Sequence, residues 1–515
     1  MKNILSLLFS FITFSAFAQL STQQIDSIAN ATLKAFEVPG IAVGIVKDGK
    51  LVHAKGYGVR SLKNNLPVDE NTLFGIASNS KAFTAFALGM LVDEGKLNWD
   101  DKVTDIIPEF KLYDPYVTNS FTVRDLLSHR SGLGLGAGDL MFFPDENSFT
   151  RKEIIHNLRY LKPVSEFRSK YDYNNNMFIV AGEVLAKVSG LSWEEFIENR
   201  IMKPLGFTSS KASWAHANKN PNVIDAHVEF DGKVQPIPHD WSETANAAGG
   251  IMSNISDLSK WLIMLMSEGK LPDGKQLISK KTLDELWSAQ TIIPVKYKNT
   301  YNTHFAAYGL GWRLSDVNGY KEVGHTGGLL GTVTQVTLIP ELNLGIIVLT
   351  NQQAGAAFLA ITNSVKDAYL GNPLKKWVSD YSNLVTTNDL KNISIEKAVY
   401  NTIDSSNKTP AYKLLNKSSF TGTFADDWFG EITIENVGGK LQFVSAKSSK
   451  LKGELLFYKG NTFVVRWYNR SLDADAYVMF NLDKNGIAQT FTMEAISPKT
   501  DFSFDFQDLN FKRKE

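Results

Sequence analysis

The hydrophobic period of the chain shifts from strand-like to helical and back. Gly40-Ile-Ala-Val-Gly-Ile-Val and Lys50-Leu-Val-His-Ala-Lys-Gly-Tyr-Gly are β-rich runs on either side of Asp48-Gly49, a tight-turn dipeptide, and predict a hairpin. From residue 80 to about 270 helical segments dominate, with Phe83, Phe86, Ala87 and Met90 on one face of the first long one. Strand-like runs return at 309–314, 331–339 and 344–351. This order predicts an α/β (α+β) domain. An antiparallel sheet is built from both ends of the region and flanked by helices, with an all-helical insertion beside it.

After Gly371 the pattern weakens into a polar, weakly helical stretch, read as a connector over 371–415. From about Phe420 onward short alternating runs appear, such as Glu431-Ile-Thr-Ile, Lys440-Leu-Gln-Phe-Val and Thr462-Phe-Val-Val-Arg-Trp. Gly438-Gly439, Lys459-Gly460-Asn461 and Lys484-Asn485-Gly486 separate them as turn formers. They predict a small antiparallel β-barrel or sandwich over 416–515, in which no catalytic constellation is visible.

Composition narrows the function. At 515 residues and 43% hydrophobic content the chain can bury more than one core, so a main domain over 19–370 and the smaller β domain are expected. Lys plus Arg equals Asp plus Glu at 54 each, which leaves no basic face for nucleic acid. Lys2 followed by an apolar run over 4–17 and the Ala16-Phe17-Ala18 pattern reads as a signal peptide over 1–18, and hence as a periplasmic or secreted protein. That run is shorter than the ~20 residues that span a bilayer, and no later segment approaches that length, so no integral membrane segment is expected after cleavage. Absence of cysteine excludes disulfides, thiol catalysis and a cysteine-linked lipid anchor. There is no H-E-x-x-H, no G-x-S-x-G elbow and no compact histidine cluster, so neither metal nor cofactor is expected.

Ser78-Asn79-Ser80-Lys81 places a hydroxyl and an amine three residues apart at the start of an apolar helical run. Residues at i and i+3 share a helix face, and a helix N-terminus favours developing negative charge on oxygen. Ser267/Lys270, Ser394/Lys397 and Ser405/Lys408 share the spacing but sit near a helix C-terminus or in the polar connector. Tyr173 and Asn175 stand two residues apart in a polar loop before an amphipathic run, whereas the competing pairs Tyr297/Asn299 and Tyr381/Asn383 lack that position. His325-Thr326-Gly327-Gly328 lies just before the strand-like run at 331–339. His129 is expected to be a structural hydrogen-bonding residue in a loop, and the glycines of 132–138 to form a loop beside the site rather than a phosphate cradle. Asp240, Glu243 and Asp257 are read as caps and ion-pair partners rather than a glycosidase pair.

Together the three segments resemble the S-x-x-K, Y-x-N and H/K-T-G triplet of the penicillin-recognising serine hydrolases, in the same chain order. The resemblance is closest to the group of class C β-lactamases, D-alanyl-D-alanine carboxypeptidases and esterases (peptidase S12-like). Supporting phrases are Leu126-Leu127-Ser128-His129-Arg130-Ser131-Gly132-Leu133, Ala248-Gly249-Gly250 and Tyr308-Gly309-Leu310-Gly311-Trp312, and it spans roughly residues 30–365. The β domain resembles the lipocalin-like module often attached to this group.

The resemblance implies that Ser78 forms an acyl-enzyme with an amide or ester: a D-amino-acid peptide, a β-lactam or a short ester. Lys81 or Tyr173 accepts its proton, and Asn175 holds Lys81 and the substrate amide. His325, Thr326, Gly327 and Gly328 line the substrate site, with the Ser78 and Gly328 amides as oxyanion hole. His325 stands where many relatives carry lysine. With an ordinary imidazole pKa near 6.5, it is expected to make recognition of a substrate carboxylate pH dependent. The alternative is a non-hydrolytic penicillin-binding or acyl-trapping module.

Overall fold

The computed structural model describes residues 20–296 and 300–514. The apolar stretch read as a signal peptide and the Tyr297/Asn299 pair lie outside them.

Two N-terminal strands, β1 (Gly40–Lys47) and β2 (Lys50–Gly58), form the expected hairpin. Two small pairs follow within the helical half: β3 (Phe74–Gly75) with β6 (Met252–Ser253), and β4 (Ala226–Phe230) with β5 (Lys233–Ile237). The main sheet is then completed by β7 (Thr291–Ile293), β8 (Ala306–Tyr308), β9 (Arg313–Val317), β10 (Tyr320–Leu329), β11 (Thr332–Ile339) and β12 (Leu344–Thr350). Its order is β2-β1-β12-β11-β10-β9-β8-β7, antiparallel throughout, so strands from the two ends of this domain, β1 and β12, lie side by side.

Alternation along the central strands divides two cores. Ile41, Val43, Ile45, Ile346 and Val348 pack against the helices Thr22–Ala35 and Gly355–Tyr369. Ala42, Val46, Ile347 and Leu349 face the other way, toward Ile255, Leu258 and Leu262 of the helix Ile255–Met266. Beyond that helix lies Ser80–Asp93, whose residues from Ser80 to Leu91 are all buried. Trp261 stacks on Phe83 at 4.1 Å and meets Phe86 edge-on at 4.8 Å, locking the two helices together. A helix that is apolar on every side must lie inside the fold, so its one lysine is carried into the interior.

Three local expectations are corrected. Of residues 309–314, read as a strand, only 313 and 314 are one, the start of β9; 309–312 turn instead, where Gly309 donates to the Trp312 carbonyl at 2.8 Å and Gly311 adopts φ +77°, which separates β8 from β9. His325-Thr326-Gly327-Gly328, placed before a strand, lies within the ten-residue β10, because its neighbours β9 and β11 supply the pairing that its glycines do not favour. The weakly helical connector contains a 30-residue helix, Trp377–Ser406. Trp377 packs with the sheet-side core while Val399 and Ile403 pack on the outside of the C-terminal domain, so tertiary contacts at both ends stabilise a helix of weak amphipathicity.

That domain is a closed antiparallel barrel of β13 (Gly422–Asp426), β14 (Gly430–Val437), β15 (Lys440–Ser445), β16 (Lys452–Lys459), β17 (Thr462–Trp467), β18 (Ala476–Leu482), β19 (Ala488–Ala495) and β20 (Asn510–Arg513). Inward positions bring Phe424, Phe443, Phe463, Phe480, Phe491 and Phe511 together, so the interior is filled with rings. The barrel docks on the helical region. Lys450 pairs with Asp240 at 2.7 Å, Lys447 with Glu153 at 2.8 Å, and Asn157 donates to the Trp428 carbonyl at 2.8 Å. Among the described residues no helix is long and apolar enough to cross a membrane.

Candidate active site

Ser78 lies in a 3₁₀ turn, Ala77–Asn79, that runs directly into the helix Ser80–Asp93. Ala77 has φ +51°, a strained conformation for a residue with a side chain, and neighbouring contacts fix it. The Asn79 amide donates to the Ile76 carbonyl at 3.2 Å and to Thr334 of β11 at 2.9 Å, while Ser80 Oγ accepts from Ile251 N–H at 3.1 Å. Residues 72–77, 79 and 80 are buried and Ser78 alone among them is partly open. The turn therefore leaves Ser78 as its one partly exposed residue.

β10 closes on this turn through Gly327. A side-chain carbon there would sit 2.2 Å from the Ile76 carbonyl oxygen and 2.9 Å from Ala77, so only glycine permits the approach. Gly328, the next residue, is exposed, and Thr326 is half-buried before it.

Lys81 is completely buried and its Nζ has three neighbours: Ser78 Oγ at 3.1 Å, Asn175 Oδ1 at 2.7 Å and the Ala248 carbonyl at 2.8 Å. The last two can only accept. Asn175 is oriented by its other end, since Nδ2 donates to Asp139 Oδ2 at 2.7 Å. When Lys81 is neutral, its two N–H bonds satisfy Asn175 and Ala248, and its lone pair is left facing Ser78. Burial pushes the amine down to about 7, against the attraction of Asp139.

Tyr173, also buried, lies over the same group, its ring 4.9 Å from Lys81 Nζ. The Ser78 hydroxyl faces the phenol and lowers its proton affinity, but burial is the larger effect and raises it far above the usual tyrosine range. Tyr173 therefore carries its proton at neutral pH. Its loop is fixed by Asn174 and Asn176, which both donate to the Ala137 carbonyl, at 2.9 and 3.0 Å, and by Gly136 N–H on the Tyr173 carbonyl at 2.9 Å. The glycine-rich 132–138 stretch is thus the cradle of the Tyr173 loop. His129 accepts from Asn174 N–H at 3.1 Å and is packed between the rings of Tyr173 and Tyr308, as expected of a structural residue.

His325 departs from expectation. It is 3% exposed; Nδ1 faces the Thr326 carbonyl at 2.5 Å and so must donate, leaving Nε2 to accept from the Tyr308 hydroxyl at 2.8 Å. Burial, with Lys81 and Arg313 nearby, pushes its pKa down to about 3. The imidazole is neutral at working pH and both nitrogens are occupied, so the expected charge change near pH 6.5 does not occur.

The competing residues lie elsewhere. Ser267 caps the C-terminus of Ile255–Met266, while Ser394, Ser405 and Tyr381 belong to the long helix, where the Tyr381 hydroxyl accepts from Asn363 at 2.8 Å. Asp257 accepts from the amides of Thr208, Ser209 and Ser210, and Asp240 from Asp145 N–H. Among the described residues no group of acidic side chains and histidines could hold a metal ion.

Sequence reasoning missed Asp139, the buried partner of Asn175, and Ala248 as an acceptor for Lys81. The Ala248-Gly249-Gly250 phrase carried the second signal. A side-chain carbon at Gly249 would lie 2.5 Å from Trp241, which accounts for that glycine beside the carbonyl that Lys81 uses.

Residues 25–369 match the Beta-lactamase family, and residues 406–513 match a domain of unknown function, DUF3471. The unguisins hydrolase ungD' of Aspergillus campestris is 30% identical over 337 residues, 64% of this chain and 61% of that protein. Protein flp of Staphylococcus aureus is 27% identical over 344 residues, 64% of this chain and 63% of flp. The chain thus spans under two thirds of the length of both relatives. Among solved structures, the octameric penicillin-binding protein homologue from Pyrococcus abyssi superposes with a TM-score of 0.61 at 23% identity, over 96% of this chain and 100% of that one. SurE superposes with a TM-score of 0.54 at 17% identity, over 96% of this chain and 98% of that one. These two likenesses concern the fold. With the family matched from residue 25 to 369, over most of its length, the chain belongs to the Beta-lactamase family.

Proposed function

We propose that the protein is a serine hydrolase that acylates Ser78 with an amide or ester substrate and then transfers the acyl group to water. The observation that carries this reading is the Lys81 amine, buried, 3.1 Å from Ser78 Oγ and lowered to about 7. Family membership and relatives named as unguisins hydrolases support hydrolysis.

As Ser78 Oγ bonds to the substrate carbonyl carbon, its proton passes to the Lys81 lone pair. The carbonyl π electrons move to oxygen, and in this scheme the Ser78 and Gly328 amides receive the charge. Collapse re-forms the carbonyl and breaks the bond to the leaving nitrogen or oxygen, which takes a proton from Tyr173; Lys81 returns a proton to the phenolate. Water then attacks the ester carbon and gives a proton to Lys81; the intermediate collapses to the acid, breaking the bond to Ser78 Oγ, which takes that proton back from Lys81. Lysine is the base in this scheme because burial favours its neutral form, whereas the same burial disfavours a tyrosine phenolate.

Neutral His325 supplies no cation at its own position in β10, which favours peptides or esters over carboxylated β-lactams there. Turnover of a panel of D-amino-acid peptides, p-nitrophenyl esters and a β-lactam, beside Ser78→Ala, tests this. Release of product from esters or peptides that is lost in the variant supports the reading. A lasting adduct without release would mark an acyl-trapping module instead.

A further inference from the structure

The barrel enters the site. Its β19–β20 connection, residues 496–509, crosses to the glycine-rich loop and the short turn Asp139–Met141. Ser503 Oγ donates to Asp139 Oδ2 at 2.9 Å, the same oxygen that accepts from Asn175 Nδ2 at 2.7 Å. Asp505 Oδ2 accepts from Gly138 N–H at 2.5 Å and its Oδ1 from Leu140 N–H at 3.4 Å, which pins the backbone on both sides of Asp139. A side-chain carbon at Gly136 would lie 2.5 Å from the Phe502 carbonyl, so the contact is a tight fit. The Phe502 ring stands edge-on to Tyr173 at 5.8 Å.

We propose that Ser503, supplied by the barrel, is a positioning residue for the hydrolytic site, acting through Asp139 and Asn175 on Lys81. The proposal rests on the reading of Ser78 and Lys81 given above. A continuous set of bonds runs from Ser503 to Asp139, to Asn175, to Lys81, and no water-accessible group interrupts it: Asp139, Asn175 and Lys81 are all buried. Asp139 Oδ1 has no hydrogen-bond partner, so the carboxylate depends on the two donors that converge on Oδ2. The other groups acting on Asp139 are Lys81 from the helix and Asp501 from the barrel connection, and Asp139 in turn acts on Asp505 and Tyr173. Burial raises the proton affinity of Asp139, and Asn175, the Ser503 hydroxyl and Lys81 oppose that rise, so its anion depends on these partners. Without Ser503 the carboxyl holds its proton more tightly and the anion that favours the Lys81 ammonium is weakened. Lys81 then becomes neutral at lower pH.

The test uses the full chain and p-nitrophenyl acetate, following the first release of p-nitrophenol between pH 5 and 9. For Ser503→Ala the acid-side midpoint is expected to fall by about half a pH unit or more, as lost interaction with a charged group requires. Ser503→Thr, which keeps the hydroxyl, is expected to restore it. Asp139→Asn, which removes the charge outright, should shift the midpoint further in the same direction, and adding Ser503→Ala to it should change nothing. An unmoved midpoint in Ser503→Ala, with Asp139→Asn shifted and Ser78→Ala inert, would overturn the role of Ser503 and leave the acyl-transfer reading intact. Full release by Ser78→Ala would instead overturn that reading.

Discussion

Lys81 Nζ stands 3.1 Å from Ser78 Oγ, and its other two hydrogen-bonding directions end on acceptors, Asn175 Oδ1 and the Ala248 carbonyl. A neutral amine in that setting has one orientation, with the lone pair toward the serine. The helix Ser80–Asp93 supplies the burial that makes the neutral form accessible. In the proposed scheme this gives the site a base from a residue that would be charged in water.

Replacing Lys81 with Met keeps the volume and removes the base. Acylation of Ser78 should fall by a factor of about 10² to 10⁴, the usual contribution of a positioned proton acceptor. The protein should melt below the wild-type temperature, because Asn175 Oδ1 and the Ala248 carbonyl are left buried without their donor, at a cost of about 1–3 kcal/mol. Burst kinetics with p-nitrophenyl acetate and a thermal melt check both halves.

Tyr173→Phe separates proton delivery from nucleophile activation. The ring contacts with His129 and Phe502 remain, so the fold should be retained, while expulsion of a poor leaving group loses its proton source. Amide turnover should drop by about 10²-fold and that of an activated ester by much less. Equal losses on both substrates would argue against the proton-donor role.

Gly327→Ala meets backbone on one side and Ala77 on the other. The Ile76 carbonyl cannot yield without moving the turn that holds Ser78. The variant should lose about 1–3 kcal/mol of stability, the usual cost of overpacking, together with most of its acylation rate. Chemical denaturation and burst amplitude report the two effects.

Tyr308→Phe leaves His325 Nε2 buried and unpaired. A cost of about 1–3 kcal/mol is expected from the lost bond. Because the folded-state pKa of His325 is lowered to about 3, the unfolded chain takes up that proton first as the pH falls. This residue's contribution to stability is therefore full above the unfolded value near 6.5 and is lost progressively below it, down toward 3. Relative turnover of carboxylated and uncharged substrates should not change through a titration of His325 between pH 5 and 8. A shift in that ratio centred near 6.5 that vanishes in His325→Gln would contradict a neutral imidazole.

The sequence made the sheet and the three motif segments legible because each has a local cause. Alternation in β1 and β12 reports two buried faces, and the apolar helix after Ser78 reports its burial. What stayed hidden depends on contacts far apart in the chain. Nothing local marks Asp139 as a partner of Asn175, 36 residues away, or Ser503 as a partner of Asp139, 364 residues away. His325 reads as a titrating side chain until Tyr308 and the Thr326 carbonyl are seen to occupy both nitrogens. The glycines of β10 disguise a strand whose pairing comes from its neighbours, and the helix Trp377–Ser406 gains its stability from the two cores it touches.

In the proposed scheme Ser78 becomes a nucleophile by giving its proton to Lys81. Intact-protein mass spectrometry under single turnover with p-nitrophenyl acetate, quenched across pH 5 to 9, measures it directly. One acetyl group should appear on Ser78, at a rate that rises with pH through about 7, where Lys81 loses its charge, and then disappear as water releases it. An adduct on another residue, or acetylation of Ser78 that keeps its pH dependence in Lys81→Met, would contradict the account.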